Sequence, residues 1–292
     1  MNMFGPNTYI NSSDKIDYSH RDKEFIDLFG RVRDKFTKKF KLQEYDILFI
    51  PGSGTLGVEA VVWSVLNRIE VVGHDGVFKS KWEQLTETHK KHTISYEKLY
   101  CQLETSNSSI FEEEGCIVDA ISSFPYYDIP RDTKIFITCT NKQLGGYPGL
   151  SIIGVKKDYW KSLRLPNEFS YLNLSRYQRY NEINQTPSTT PTQIFEHFES
   201  VLDTFNKFEL KKKIFDNSLK VIESIGEENV IGKKICPVIT IDKKLISTKL
   251  ATKYQLYGVY TESPNYQIFT YSCDDELYTK FCEELKNENT LL

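Results

Sequence analysis

The chain lacks several features that would otherwise direct its reading. It has no excess of either charge. Its 37 Lys and Arg stand against 40 Asp and Glu in 292 residues, a net of −3, too little to draw the chain onto a nucleic acid or an anionic membrane. The basic clusters Arg31–Lys39 and Lys211–Lys213 sit inside helical patterns beside acidic residues and read as solvated helix faces. There is no run of about 18 apolar residues, so no membrane-spanning helix is expected. No secretion signal is visible either, and the Asn-x-Ser sequon at Asn11 is therefore set aside. Six cysteines, at 101, 116, 139, 236, 273 and 282, form no C-x-x-C pair and no regular spacing, so neither a metal site nor a disulfide framework is expected. Cys116 and Cys139 fall within apolar runs, where a free thiol acts as a small hydrophobe. These absences together set the expectation of a cytoplasmic protein. No internal repeat or low-complexity segment is apparent. At 39% apolar and 13% aromatic, the chain can bury one large core or two modest ones.

What is present is organised around Thr138-Cys-Thr-Asn-Lys-Gln-Leu-Gly-Gly-Tyr-Pro-Gly149. It follows a β-branched apolar run, Ile135-Phe-Ile-Thr138, that reads as a buried strand. It ends in Gly145, Gly146, Pro148 and Gly149, a turn cluster that lets backbone pass close to something bulky. Lys142 thus stands at a strand end. A turn lysine alone would be a solvated lysine, and its company elsewhere in the chain changes that reading. Upstream, the apolar run Gly115-Cys-Ile-Val-Asp119 terminates at an aspartate. Further upstream, Ile47-Leu-Phe-Ile-Pro-Gly-Ser53-Gly-Thr55 passes from a strand through a small-residue turn into a helical pattern. Such a helix start presents backbone N–H groups and hydroxyls to a phosphate. A phosphate cradle, a strand-end aspartate and a strand-end lysine are the equipment of a pyridoxal phosphate enzyme. In that reading the lysine forms the Schiff base and the carboxylate holds the ring nitrogen protonated.

Helical spacing is expected over 22–41, 56–68, 79–89, 193–208, 210–225, 243–254 and 274–286. Strands are expected at 46–50, 71–73, 99–103, 116–119, 135–138, 150–155 and 236–241. A hairpin-like pair is expected at 258–260 and 266–271.

Several segments carry a family resemblance. Gly5-Pro6-Asn7, Ser19-His-Arg-Asp-Lys-Glu-Phe25, Pro51-Gly-Ser-Gly-Thr55, Glu104-Thr-Ser106, Val118-Asp-Ala-Ile-Ser-Ser-Phe124 and Asn141-Lys-Gln-Leu-Gly-Gly-Tyr-Pro-Gly149 resemble class V aminotransferases. Within that class they are most similar to 2-aminoethylphosphonate–pyruvate transaminases. The resemblance runs from the N-terminus to about Gln193. It implies an α/β fold, with a large domain built on a mostly parallel sheet with helices on both faces, and a small α+β C-terminal domain. The family has longer segments between its stacking aromatic and the Glu104–Ser106 motif, and between that motif and Asp119, so the large domain is expected to be shortened, with at least one crossover helix shortened or lost. The expected boundaries are an arm over 1–20, the large domain over 21–207 and the small domain over 208–292.

The resemblance also implies a set of roles. Lys142 and Asp119 are catalytic, with Lys142 also shuttling the proton. Ser53, Gly54 and Thr55, with Thr140 or Asn141, hold the cofactor phosphate. Phe78 stacks on the ring. Ile121, on the strand face of Asp119, packs beneath it. Thr105 and Ser106 contact the side of the phenolic oxygen. Thr186, beside Gln185, reaches the partner's phosphate across a homodimer, although Ser188 stands where the family has a second proline. The family clamps the substrate carboxylate with an arginine, and Gln267 takes that place here. Arg21 is the substitute cation considered. The expected activity is transfer of an amino group from a small amine, such as 2-aminoethylphosphonate, to a keto acid such as pyruvate. The alternative kept open by Gln267 is a decarboxylase, a lyase or a transaminase for a larger amine. A relative that keeps the shell without turnover is disfavoured by the retention of Lys142, Asp119 and the Ser53–Thr55 turn. Neither nucleic acid nor a membrane is an expected partner.

Overall fold

A computed structural model describes residues 19–290 apart from 166 and 273. All but the last two residues of the expected N-terminal arm lie outside them. In chain order the elements are α1 (Lys23–Phe40), β1 (Tyr45–Pro51), α2 (Gly54–Ser64), β2 (Arg68–Val71), α3 (Val77–Thr88), β3 (Tyr96–Cys101), the short pair β4 (Leu103–Glu104) and β5 (Ser109–Ile110), and β6 (Ile117–Asp119). They continue as β7 (Ile135–Cys139), β8 (Leu150–Lys156), α4 (Leu174–Asn181), α5 (Thr192–Thr204), α6 (Lys207–Ile225), β9 (Val230–Ile231), β10 (Val238–Asp242), α7 (Thr248–Lys253), β11 (Asn265–Phe269) and α8 (Asp275–Thr290).

The strands that read as continuous apolar runs do so because both of their faces are covered. Ile47, Phe49, Val118, Phe136 and Ile152 turn to one side and pack with Phe25 and Phe29 of α1 and Phe195 and Phe198 of α5. Their neighbours Leu48, Ile50, Ile117, Ile135, Ile137 and Ile153 turn to the other side, against Val58 and Val61 of α2, Trp82 of α3 and Leu174 of α4. The sheet order is β1-β8-β7-β6-β3-β2. β2, β3, β6 and β7 are parallel neighbours, and β8 runs against both β7 and β1. β1 therefore runs the same way as those four, and their C-terminal ends share one edge.

The expected loss of a crossover helix is borne out. Between the parallel neighbours β3 and β6 the chain makes only the β4–β5 hairpin, and between β6 and β7 it forms no α-helix. The second sheet, β11-β10-β9, is antiparallel throughout. It packs Ile239, Ile241 and Ile268 against Val221 of α6, Leu250 of α7 and Tyr278 and Phe281 of α8.

Four expected elements differ. The helix over 56–68 ends at Ser64, and Arg68 already belongs to β2. The helix over 193–208 ends at Thr204, because Asn206 starts a new helix by accepting from Phe208 N (2.9 Å) and Glu209 N (3.3 Å). The helix over 243–254 is a 3-10 turn at Lys243–Leu245 followed by α7, whose N-cap Ser247 accepts from Leu250 N. The pair at 258–260 and 266–271 is not a hairpin. β11 pairs with β10, and the earlier segment meets it only through a bridge between Tyr257 and Gln267.

Helix α2 lies so close to the sheet that a Cβ on Gly57 would stand 2.0 Å from Ser151 Oγ and 2.9 Å from Ile137 Cγ2. Gly57→Ala should therefore destabilise by about 1–3 kcal/mol through overpacking, despite the ~1 kcal/mol that Ala gains in an open helix. Urea unfolding checks this: the midpoint should fall with an unchanged slope, and a raised midpoint would show that the helix has room.

Candidate active site

Ligands of open α/β sheets bind beyond the carboxyl ends of the strands, and the expected site residues gather there. A cavity of about 290 Å³ opens at this edge, lined among others by Ser53, Gly54 and Thr55 after β1, Asp119 and Ile121 at the end of β6, Asn141 and Lys142 after β7, and Phe78 of α3. Eight expected residues thus meet in one place.

The cradle is the start of α2. Ser53 caps it, its Oγ accepting from Leu56 N at 3.3 Å, and the first turn carries no acidic residue, so the helix end favours an anion. Gly54 lets α2 pass close to Ile121: a Cβ would stand 2.7 Å from Ile121 Cδ1, so a larger residue would require Ile121 to move. A cation that the sequence did not reveal is also present. Lys81 Nζ donates to Thr55 Oγ1 at 3.3 Å.

Asp119 is 3% exposed. Its Oδ1 accepts from Ile121 N at 3.0 Å and its Oδ2 from Trp82 Nε1 at 2.9 Å. Burial pushes its pKa up to about 6, against the pull of these hydrogen bonds. Trp82 was not singled out from the sequence. It follows Phe78 by four residues on α3, the spacing that places two side chains on one helix face, and that spacing was the available signal. Glu104, quoted in its motif but given no role of its own, is a second such residue. Its Oε2 accepts from Phe78 N (2.9 Å) and Lys79 N (3.2 Å), capping α3, while Oε1 accepts from Ser106 Oγ at 2.6 Å.

Lys142 is half-buried. Burial holds its ammonium below the usual lysine range, with Cys139 and Asp119 opposing that shift. A lysine so placed keeps more of its amine neutral and nucleophilic than an exposed one. Of the alternatives Thr140 and Asn141, only Asn141 lines the cavity. The Thr140 hydroxyl donates to Tyr147 O at 2.5 Å and fastens the glycine turn.

Thr105 and Ser106 line a second space, not the first. It is a cleft of about 840 Å³ between α3 and the small sheet, bordered by Lys81, Tyr257 and Gln267, with Phe78 shared between the two. Gln267 is 6% exposed. Arg21 borders neither space. Its guanidinium donates to Gln185 Oε1 and lies over the Tyr180 ring, 5.3 Å from its centroid. Thr186 also borders neither. It is 1% exposed, and its hydroxyl donates to Ser188 O at 2.8 Å and accepts from Thr190. Among the described residues no group of His, Cys, Asp and Glu is placed to hold a metal ion, and no helix is long and apolar enough to cross a membrane.

No family model matches the chain. Over 98 residues, 32% of the chain, it is 35% identical to a 2-aminoethylphosphonate–pyruvate transaminase of Cupriavidus necator, covering 26% of that protein. Over 49% of the chain it is 25% identical to a pyridoxamine–pyruvate transaminase of Mesorhizobium japonicum, covering 46% of it. The matches therefore span less than half the length of these curated relatives. Among solved structures it is similar to a subgroup IV aspartate aminotransferase from Thermus thermophilus, with a TM-score of 0.81 at 15% identity over 98% of each chain. It is also similar to a PLP-bound phosphoserine aminotransferase from Trichomonas vaginalis, with a TM-score of 0.72 at 15% identity over 92% of this chain and 90% of that one. The architecture is that of the pyridoxal phosphate-dependent aminotransferases, as the motifs implied, and the likeness to class V is borne out.

The buried Asp119 makes a stability prediction with a definite sign. Its carboxyl binds a proton more tightly in the folded state (about 6) than at its ordinary value of 3.8. The cofactor-free protein should therefore lose stability as pH rises through this window, by up to about 3 kcal/mol. Asp119→Asn should remove that loss, so its stability relative to wild type should improve from about pH 4 to about pH 7. Urea titrations of the two proteins across that range check it, and parallel curves would show that Asp119 titrates normally.

Proposed function

We propose that this chain is a pyridoxal phosphate-dependent aminotransferase that moves an amino group from a small amine, of the 2-aminoethylphosphonate kind, to a keto acid such as pyruvate. The observation that carries this reading is the convergence of Lys142, the buried Asp119 carboxyl and the start of α2 on one cavity. The residues fit the cofactor on grounds internal to the structure. The anion cradle has a cation at its edge, Gly54 clears the approach of α2 to Ile121, and a carboxyl stands between two fixed donors.

Bound there, pyridoxal phosphate supplies the electron sink for charge developing at the substrate carbon. The chain's own groups do the rest. Ser53, Gly54, Thr55 and Asn141 would hold the phosphate. Asp119 would hold the ring nitrogen's proton, while the Trp82 N–H and the Ile121 N–H favour and orient its carboxylate. Phe78 and Ile121 would pack against the ring. Lys142 Nζ, held below its usual pKa, would bind the cofactor and serve as the base for the proton of the reacting carbon. The relatives and solved structures named above are aminotransferases, which favours transfer over decarboxylation or elimination. We extend the reading to a homodimer in the cytoplasm. The five described cysteines are free thiols, as a reducing compartment keeps them, and the resembling enzymes share their sites across a dimer. The same reading divides the chain at about residue 207, where Asn206 caps α6.

Purified protein should absorb at roughly 410–430 nm, a property of the cofactor itself, and borohydride should fix a pyridoxyl group on Lys142. Label on another lysine, or a colourless protein that takes up no cofactor, would overturn the reading. Asp119→Asn should still take the label but turn over about a hundredfold or more slowly. With pyruvate as acceptor, alanine should accumulate, and carbon dioxide in its place would favour the decarboxylase.

A further inference from the structure

The cradle at the start of α2 carries little charge for the group assigned to it. Of the described residues that line the cofactor cavity, only Asp119 and Lys142 bear a formal charge, and the cofactor reading commits both to the ring. A phosphate monoester carries about −1.5 to −2 charges near neutrality, whereas a helix start supplies only about half a positive charge. The contact that the resemblance offers from a partner does not make up the difference. Thr186 is 1% exposed, and its hydroxyl donates to Ser188 O at 2.8 Å and accepts from Thr190 Oγ1 at 2.9 Å, all within its own chain. A cation from α3 does meet the cradle. Lys81 Nζ donates to Thr55 Oγ1 at 3.3 Å and lies over the Trp82 ring, 5.5 Å from its centroid.

The charge of Lys81 is not spent elsewhere. Among the described residues no acidic side chain pairs with it, while Lys79, two positions earlier on the same helix, is held by Asp75 at 2.7 Å. An ammonium has three donors. One reaches Thr55, and the others are left for an anion. Lys81 borders the cleft, and its ammonium touches a residue that lines the cavity, so it stands where the two spaces meet. We infer that Lys81 is a cofactor-binding residue, whose ammonium neutralises the phosphate beside Thr55 from within the same subunit. The phosphate site is then complete in charge without a contribution from a partner. This inference rests on the aminotransferase reading for the identity of the ligand, but the preference for an anion belongs to Lys81 and the cradle.

The test compares the cofactor with its dephosphorylated form on the full chain, freed of cofactor. Pyridoxal phosphate and pyridoxal are titrated by absorbance, and inorganic phosphate by calorimetry, into wild type, Lys81→Met and Lys81→Arg. Lys81 is exposed, so the urea midpoint of Lys81→Met should match that of wild type. Lys81→Met should bind pyridoxal phosphate and inorganic phosphate about tenfold more weakly, because a hydrogen bond to a charged group is lost. Its affinity for pyridoxal should stay within about twofold of wild type, and Lys81→Arg should keep most of the preference for the phosphorylated form. Equal weakening of pyridoxal and pyridoxal phosphate, or weakening of neither, would overturn the inference. So would a Lys81→Met variant that loses affinity only for an amine with an acidic far end, which would assign the ammonium to the substrate. Borohydride labelling keeps the two readings apart. Wild type that takes no pyridoxyl on Lys142 strikes the aminotransferase reading. The role of Lys81 is then decided by inorganic phosphate alone, and an unchanged affinity in Lys81→Met overturns it.

Discussion

A carboxyl group kept out of water at the end of β6 is the constraint on which the candidate site depends. Removing Asp119 from solvent costs the folded chain stability whenever the group is ionised, and the structure offsets this only in part, with the Trp82 and Ile121 donors. A residue selected for packing at that place would be apolar, like Ile117 and Val118 before it. Keeping a buried acid there makes sense if a cation is to meet it, and a protonated ring nitrogen is such a cation. The same burial acts oppositely on Lys142, which loses some of its affinity for a proton. One desolvated pocket thus moves an acid up and an amine down, as acid–base chemistry near neutrality requires.

Much of this was legible in the sequence because it is local. Lys142, Asp119 and the Ser53–Thr55 turn each follow an apolar run and sit beside glycine or a helix pattern, so strand end and turn could be read without tertiary information. Since β1, β6 and β7 run the same way, three such junctions necessarily come to one sheet edge. The shortened connection before Asp119 was legible only against the resembling family, whose segments on either side of the Glu104–Ser106 motif are longer. The class of fold came with the family resemblance that these segments carry.

What escaped the reading depends on docking. Trp82 and Lys81 act through the way α3 lies against β6 and α2, and helix periodicity alone says which face is shared, not what it meets. Thr140 and Asn141 are neighbours at a strand end whose side chains leave in opposite directions, and only the fold shows that one fastens a turn while the other enters the cavity. Arg21 was read from its charge, yet its partner Gln185 lies far along the chain. The break between α5 and α6 was expected a few residues too late, because a capping side chain such as Asn206 looks like any other polar residue.

The lost crossover helix has a structural consequence of its own. In its place residues 103–110 form a hairpin that touches both walls of the cleft. Glu104 caps α3, which carries Phe78, Lys81 and Trp82. Thr105 O takes the Thr240 hydroxyl, and Ser108 Oγ donates to Val238 O at 2.6 Å beside Thr240 Oγ1 at 2.7 Å. These last contacts are buried, and breaking one leaves a polar group without a partner, at a cost of about 1–3 kcal/mol. Gly232, φ +73°, brings the small domain so near that a Cβ would stand 2.2 Å from Asn107 O. The sheet bearing Gln267 is therefore linked to α3 through residues 103–110, and Tyr126 and Leu103 pack with Val238 and Phe269 beside them. Shortening the connection has brought α3 and the second sheet onto one stretch of chain, so a substitution within it acts on both.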